Sequence, residues 1–251
     1  MSQIPKQFER GFKFPVQDQD LPDLQAELDP EPISDITADG KHYKAAGKLE
    51  GEKALVTGAD SGIGRAVAIL FGKKKDIART VQMIEEKTND VRKVVTVESD
   101  LTSEDNCKAL VAKHIQAHEG TLDTLLLTPT SMPFSIVKHA ILHMPSGSSI
   151  TFNASINFAK GHPKLVDYTA TKGAIVGFMR ALSNQIVAER GIRVNAVAPG
   201  PIWTPLIVTT MTKDSKEQPI EIAMFFVFLS SADSSYMSGQ VLHPNGGTVI
   251  A

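Results

Sequence analysis

Residues 54–67 read ALVTGADSGIGRAV, and they are the most informative residues of the chain for its fold. It starts with a short apolar run, passes through a turn that holds three glycines, and ends in the first residues of an amphipathic helix. Gly58 allows a sharp turn, Gly62 lets the backbone approach a pyrophosphate, and Gly64 lets the helix pack closely on the strand. The free N–H groups and the dipole at that helix N-terminus favour an anion. The stretch therefore predicts a strand, a turn and a helix that bind a nucleotide diphosphate.

Short apolar runs alternate with helical stretches along the rest of the chain. Strands are predicted over residues 53–57, 93–99, 123–127, 148–153, 193–198 and 240–243. Helices are predicted over residues 63–72, 79–87, 103–118, 135–144, 165–189 and 217–229. Such alternation is typical of a parallel sheet with helices on both faces. The predicted fold class is therefore α/β, with a doubly wound sheet.

Residues 1–49 differ in composition from the rest of the 251-residue chain. They contain five prolines, and residues 18–39 carry eight carboxylates with no Lys or Arg. Such a segment buries too little apolar surface to fold alone. We predict an extended acidic, proline-containing arm over residues 1–49 and a single domain over residues 50–251. An alternative is an acidic strap that lies on the more basic body of its own or a neighbouring subunit.

The overall composition excludes several classes of protein. A net charge of −2 with 22% charged residues argues against binding nucleic acid through bulk charge. The longest strongly apolar stretch, residues 223–229, is far shorter than the roughly 20 residues that span a bilayer. Cys107 is the only cysteine, so no intrachain disulfide can form, and the histidines show no metal-site spacing. We predict a cytoplasmic protein without a metal, a membrane partner or a nucleic-acid partner.

Further motifs follow the glycine-rich turn in a fixed order. They are DLT at residues 100–102, Ser155, YTATK at residues 168–172, RVNAVAPGPIWT at residues 193–204, and SGQVLHPNGG at residues 238–247. The glycine-rich turn has the spacing Thr-Gly-x-x-x-Gly-x-Gly. Together with this turn, the motifs resemble those of the short-chain dehydrogenase/reductase family over most of residues 48–251. The sequences GADSGIGRA, PGPIWTPLI and LHPNGG are similar to the corresponding sequences of glucose/ribitol dehydrogenase-like members of that family. The resemblance implies a Rossmann-like sheet and a nicotinamide cofactor.

Tyr168 and Lys172 can be interpreted from their spacing as well. Four residues apart on a predicted helix, they share one face and lie about 6 Å apart along the axis. A free tyrosine has a pKa near 10, and a neighbouring ammonium favours the phenolate, so we expect a lowered pKa for Tyr168. Tyr168 could then exchange a proton with the oxygen of a carbonyl or alcohol substrate. Ser155, at the carboxyl end of a central strand, would hydrogen-bond that substrate oxygen. Such a Tyr/Lys pair is also common on helix surfaces, and it is the accompanying motifs that favour catalysis.

The resemblance assigns roles to individual residues. The implied catalytic residues are Ser155, Tyr168 and Lys172. The implied cofactor-binding residues are Gly58, Ser61, Gly62, Ile63, Gly64, Asp100, Tyr168, Lys172, Ile202 and Thr204. Among these, Asp100 would contact the adenine, Lys172 the nicotinamide ribose, and Ile202 and Thr204 the nicotinamide end. The cofactor is NADP or NAD, and NADP is favoured because no acid at the end of a second strand is present to repel its phosphate.

Three segments are shorter than the family pattern. Residues 63–99 number 37, whereas a helix, a strand, a second helix and a third strand need roughly 45 or more. We therefore expect the usual second strand to be missing. Residues 128–147 lack the catalytic asparagine of the family, and the lid between Thr204 and Glu221 is shortened.

These features lead to two alternative functions. The first is an NAD(P)-dependent oxidoreductase that interconverts a carbonyl and an alcohol on a small molecule, with Tyr168 as acid/base. The alternative is a truncated, catalytically weak or inactive member that acts as a nucleotide-binding or scaffold protein. By resemblance the protein forms a homo-oligomer, and the short helix at residues 135–144 favours a homodimer over a tetramer.

Overall fold

A computed structural model describes residues 4–9, 12–15, 17, 25–43, 47–72, 95–128, 133–205 and 217–250. Within these residues a five-stranded sheet has the order β1-β2-β3-β4-β5, and every pair is parallel. The strands are β1 Ala54–Thr57, β2 Thr124–Leu127, β3 Ser149–Asn153, β4 Arg193–Val197 and β5 Val241–Leu242. The carboxyl ends of the strands therefore lie along one edge of the sheet, where ligands bind in open α/β folds.

Helices connect these strands. They are α1 Gly62–Gly72, α2 Glu104–Ala117, α3 Pro133–Ala140, α4 Asn157–Lys160, α5 Val166–Arg190 and α6 Pro219–Ser230. Short 3₁₀ turns occur at Lys6–Phe8, Gln25–Glu27, Ile141–His143 and Ala232–Ser234. The start of the helix predicted over residues 103–118 is confirmed, because the Ser103 hydroxyl accepts a hydrogen bond from Asn106 N at 3.4 Å and caps α2.

The sheet is covered on both faces, as the alternation predicts. Leu126 of β2 packs in a cluster with α1 and α6, whereas its neighbours Leu125 and Leu127 pack in a second cluster with α2, α3 and α5. Successive side chains of a strand point to opposite faces, so one strand contributes to both clusters. All four residues of β2 are buried, which is expected of a central strand in a parallel sheet. The prediction of a doubly wound α/β fold is confirmed.

The predicted strand at residues 93–99 is wrong over its described part. Residues 95–99 form no strand, and the side chain of Val95 is 44% exposed. Val97 packs against the core, but a strand also needs a hydrogen-bonded neighbour. Among the described residues β1 pairs only with β2, so no ladder holds this segment. The predicted helix at residues 79–87 and the place of the expected missing strand lie outside the described residues.

Residues 25–43 lie against the body of the same chain. The backbone N–H of Ile33 donates to Gln218 Oε1 at 2.8 Å, and Ile220 N donates to the carbonyl oxygen of Ile33 at 3.2 Å. Leu28 is buried against Trp203. These contacts join the N-terminal segment to the start of α6 and to the loop after β4, although the domain boundary at residue 49 itself stays a prediction.

Within the residues described, no helix combines the length and the apolar character needed to cross a membrane.

The core on the α6 face gives a direct test of the packing. Phe226 is fully buried there, so we expect Phe226→Ala to lower the free energy of unfolding by about 3–5 kcal/mol. Leu142→Ala is a matched control, since Leu142 is 74% exposed, and it should change stability by about 0.5 kcal/mol or less. Urea unfolding followed by circular dichroism measures both. Equal effects of the two changes would contradict the packing of α6 on the sheet.

Candidate active site

The glycine-rich turn between β1 and α1 depends on close backbone contacts. Gly58 and Gly62 have positive φ angles of 64° and 53°, which residues with a side chain rarely adopt. A Cβ atom at Gly64 would lie 2.0 Å from the carbonyl oxygen of Gly58, so only glycine fits there. The turn therefore holds the N-terminus of α1 against the carboxyl end of β1, and its backbone N–H groups are donors for an anion.

The loop after β4 lies against this turn. A Cβ atom at Gly62 would be 2.8 Å from Cγ2 of Thr204, so Thr204 approaches the turn closely. The loop is held by a parallel bridge of Ile202 with Glu217, in which Trp203 N donates to Glu217 O at 2.9 Å. The structure thus brings predicted cofactor residues from two distant motifs together. The backbone N–H donors at the start of α1 and the neighbouring loop after β4 fit the diphosphate and nicotinamide ends of a dinucleotide.

Asp100 lies at the turn that leads into α2. Its Oδ1 accepts hydrogen bonds from the backbone N–H of Thr102 at 2.9 Å and from the Thr102 hydroxyl at 2.7 Å. These bonds lower the pKa of Asp100. The carboxylate therefore orders the start of α2, and its predicted contact with adenine stays a prediction.

Ser155 is positioned by hydrogen bonds just beyond β3. Ala154 N donates to Val197 O at 2.7 Å, and Ile156 N donates to Pro199 O at 3.0 Å, so the chain stays beside the loop after β4. The Ser155 hydroxyl is buried and accepts a hydrogen bond from Asn157 N at 3.3 Å. This bond fixes the oxygen at the carboxyl edge of the sheet.

Tyr168 and Lys172 lie on one face of α5, as their spacing predicts. Nζ of Lys172 is 5.5 Å from the centroid of the Tyr168 ring. The Lys172 side chain is almost completely buried, and its ammonium donates to the backbone carbonyl oxygen of Asn153 at 2.8 Å. Ser155 and Tyr168 are near enough for their hydroxyl groups to interact. The three predicted catalytic residues are therefore brought together where β3 ends.

The acidities in this cluster differ from the sequence-based expectation. Burial raises the pKa of Tyr168, and the interaction with the Ser155 hydroxyl opposes that rise. Burial also lowers the pKa of Lys172 from 10.5 to about 8. The expected lowering of the Tyr168 pKa by Lys172 is wrong for the protein alone, because desolvation disfavours both charged forms. At neutral pH the phenol carries its proton.

Two contacts in this region involve residues that the sequence analysis did not identify. Asn153 supplies the carbonyl that holds Lys172. Gln25, from the N-terminal segment, accepts a hydrogen bond from Gly62 N at 2.7 Å through its Oε1 atom. Every residue has a backbone carbonyl, so the residue type at position 153 does not reveal that its carbonyl is an acceptor. Gln25 and Gly62 are 37 residues apart, so no local sequence pattern predicts their contact. Neither could be found from motifs.

Among the described residues, no group of three or more His, Cys, Asp or Glu side chains could hold a metal ion.

The burial of Lys172 makes a prediction about stability. The unfolded chain titrates this lysine near 10.5 and the folded protein near 8, so the unfolded state binds more protons between these values. Keeping the ammonium charged at pH 7 therefore opposes folding. We expect Lys172→Met to raise the free energy of unfolding at pH 7 by the order of 1–3 kcal/mol, and the gain to fade towards pH 10.5.

Urea unfolding at pH 7 and at pH 10.5 measures this change in the free energy of unfolding. Lys113→Met, at an exposed position on α2, is the control and should leave stability and its pH dependence nearly unchanged. A loss of stability in Lys172→Met at pH 7 would contradict the buried, desolvated ammonium.

Comparisons with known proteins identify relatives of this chain in sequence and in structure. A family model described as short chain dehydrogenase matches residues 52–130, and a model described as enoyl-(acyl carrier protein) reductase matches residues 129–249. A crystal structure described as a short-chain dehydrogenase/reductase, glucose/ribitol dehydrogenase, from Brucella melitensis superposes with a TM-score of 0.67 at 27% identity. The superposition covers 81% of this chain and 99% of the Brucella chain.

Two plant proteins are similar along nearly their whole lengths. Glucose and ribitol dehydrogenase of Daucus carota is 39% identical, over 96% of this chain and 98% of the carrot protein. That alignment runs over 291 residues, so the carrot protein carries segments that this 251-residue chain lacks. NADPH-dependent aldehyde reductase 1, chloroplastic, of Arabidopsis thaliana is 40% identical, over 83% of this chain and 90% of the Arabidopsis protein. The protein therefore belongs to the short-chain dehydrogenase/reductase family.

Proposed function

We propose that the protein is an NADP(H)-dependent oxidoreductase that interconverts a carbonyl and an alcohol, with Tyr168 as the acid/base. The observation that carries the proposal is the meeting of Ser155, Tyr168 and Lys172 at the edge of the sheet that also holds the glycine-rich turn. Membership of a family of oxidoreductases supports the reaction class. The name of the Arabidopsis relative supports NADPH and aldehydes, and that of the carrot relative supports sugars and polyols.

The roles of the side chains follow from their acidities. During carbonyl reduction the neutral Tyr168 phenol gives its proton to the substrate oxygen, and the Ser155 hydroxyl donates a hydrogen bond to the same oxygen. A nicotinamide cofactor held at this edge of the sheet would supply the hydride for the carbonyl carbon. The Lys172 ammonium lies 5.5 Å from the ring centroid, where its charge offsets that of the phenolate left behind. With a pKa of about 8, Lys172 can also pass on a proton near neutral pH.

Most of the proposed binding residues for the cofactor lie in the glycine-rich turn and in the loop after β4. The backbone of Gly58, Ser61, Gly62, Ile63 and Gly64 would hold the diphosphate at the start of α1. Ile202 and Thr204 would contact the nicotinamide end, and Asp100 the adenine end. Lys172 would bind the nicotinamide ribose. NADP is preferred to NAD in this proposal.

A homodimer in the cytoplasm is part of the proposal. Val166 and Val187 on α5 are 70% and 37% exposed, and Phe134 on α3 is 45% exposed, so these two helices offer apolar side chains to a second copy. Size-exclusion chromatography with light scattering measures the mass in solution. We expect twice the 27.1 kDa of the chain, and a monomer would contradict the dimer.

Tyr168→Phe tests the catalytic role. The change removes the transferable proton but keeps the ring, so we expect turnover to fall by roughly 10²–10⁴-fold while NADPH affinity stays within about threefold. The assay follows nicotinamide absorbance with aldehydes, ketones, sugars and polyols in both directions, and fluorescence titration measures NADPH and NADH binding.

Tyr236→Phe is the control, because Tyr236 is fully exposed and should leave turnover unchanged. Turnover retained in Tyr168→Phe would show that the proton comes from another group. Cofactor binding by the wild type without turnover of any substrate would instead favour a nucleotide-binding or scaffold role. The wild type binding neither coenzyme at millimolar concentration would reject the proposal as a whole.

A further inference from the structure

The N-terminal segment places a side-chain acceptor on the glycine-rich turn. Oε1 of Gln25 accepts a hydrogen bond of 2.7 Å from the backbone N–H of Gly62, the first residue of α1. The Gln25 side chain is only 2% exposed, so this contact is enclosed by protein. The first N–H groups of a helix have no partner within it, and they are the donors on which an anion binds. Gln25 therefore occupies a donor of the predicted diphosphate site.

Gly62 is enclosed on a second side as well. Cγ2 of Thr204 would lie 2.8 Å from a Cβ atom placed on Gly62. The Gly62 amide is thus covered by Gln25 while the α-carbon faces Thr204. A phosphate oxygen reaches the amide hydrogen only when the Gln25 carboxamide leaves it.

The segment is held in place a few residues further along, by contacts that do not involve the glycine-rich turn. Nε1 of Trp203 donates to the carbonyl oxygen of Pro30 at 2.6 Å. Ile33 is bonded to the start of α6 through Gln218 and Ile220. These bonds can persist when Gln25 moves away. They keep Gln25 at a high effective concentration beside Gly62, since only a short stretch of chain separates it from Pro30.

We propose that Gln25 is an intramolecular competitor for the cofactor diphosphate, a role that rests on the proposed function. In the free protein its carboxamide holds the Gly62 amide, and it withdraws when the dinucleotide binds. A charged diphosphate forms hydrogen bonds about twice as strong as those of a neutral amide oxygen, and the helix dipole adds to that preference. The exchange therefore favours the ligand, while the competing contact lowers the apparent affinity for it.

Binding of NADPH to three variants, measured by isothermal titration calorimetry, tests this competition. Gln25→Ala removes the acceptor, so the Kd should fall about three- to tenfold, the worth of one hydrogen bond. Gln25→Glu puts a carboxylate on the helix N-terminus and beside the incoming diphosphate, so the Kd should rise at least about tenfold. Gln116→Ala is the matched control, because Gln116 is exposed on α2 across the sheet from α1, and its Kd should equal that of the wild type.

Hydrogen exchange of the peptide that contains Gly62 provides a readout without ligand. In Gln25→Ala this peptide should exchange faster than in the wild type and in Gln116→Ala, with the melting temperature showing that each variant is folded.

The outcomes separate the two proposals. A weaker affinity in Gln25→Ala would overturn the competition, since Gln25 would then hold the cofactor. Equal affinities in all variants together with unchanged exchange would overturn it while leaving the proposed function intact. If neither the wild type nor any variant binds NADPH or NADH, the proposed function fails, and the competition fails with it.

Discussion

The close approach of α1 to β1 is the constraint on which the rest of the structure depends. Because a Cβ atom at Gly64 would be 2.0 Å from the carbonyl oxygen of Gly58, the helix can begin at this place only with glycine. That contact sets the first amides of α1 at the carboxyl edge of the sheet, where the loops after the other strands also begin. Thr204 reaches the same turn from the loop after β4. The binding edge is thus a consequence of backbone packing.

Burial governs the chemistry at the other end of that edge. The same desolvation that raises the pKa of Tyr168 lowers that of Lys172, so both groups are driven towards their neutral forms. A protonated phenol beside a lysine with a pKa of about 8 suits the delivery of a proton to a carbonyl oxygen. The backbone carbonyl of Asn153 keeps the lysine in place despite its desolvation. The burial of Lys172 that suits the proposed chemistry lowers the stability of the fold, because a buried ammonium disfavours folding.

The N-terminal segment adds a long-range control to this site. Its described residues contribute no strand to the central sheet, yet they contact the glycine-rich turn through Gln25 and the loop after β4 through Pro30. Both loops belong to the predicted cofactor site. The composition of the N-terminal segment excludes independent folding, so its order comes from contacts with residues of the predicted domain. In return, the segment supplies the Gln25 acceptor at the site where an anion is expected.

Features that depend on local backbone geometry could be predicted from the amino-acid sequence. They include the strand, turn and helix at residues 54–67, the start of α2 near residue 103 and the shared helix face of Tyr168 and Lys172. The direction of the Tyr168 pKa shift and the place of Gln25 could not be predicted in this way, because burial and contacts between distant segments depend on which surfaces meet in the folded protein. The absence of the predicted strand over the described residues 95–99 has the same cause, since an apolar run becomes a strand only where a neighbouring strand supplies its hydrogen bonds.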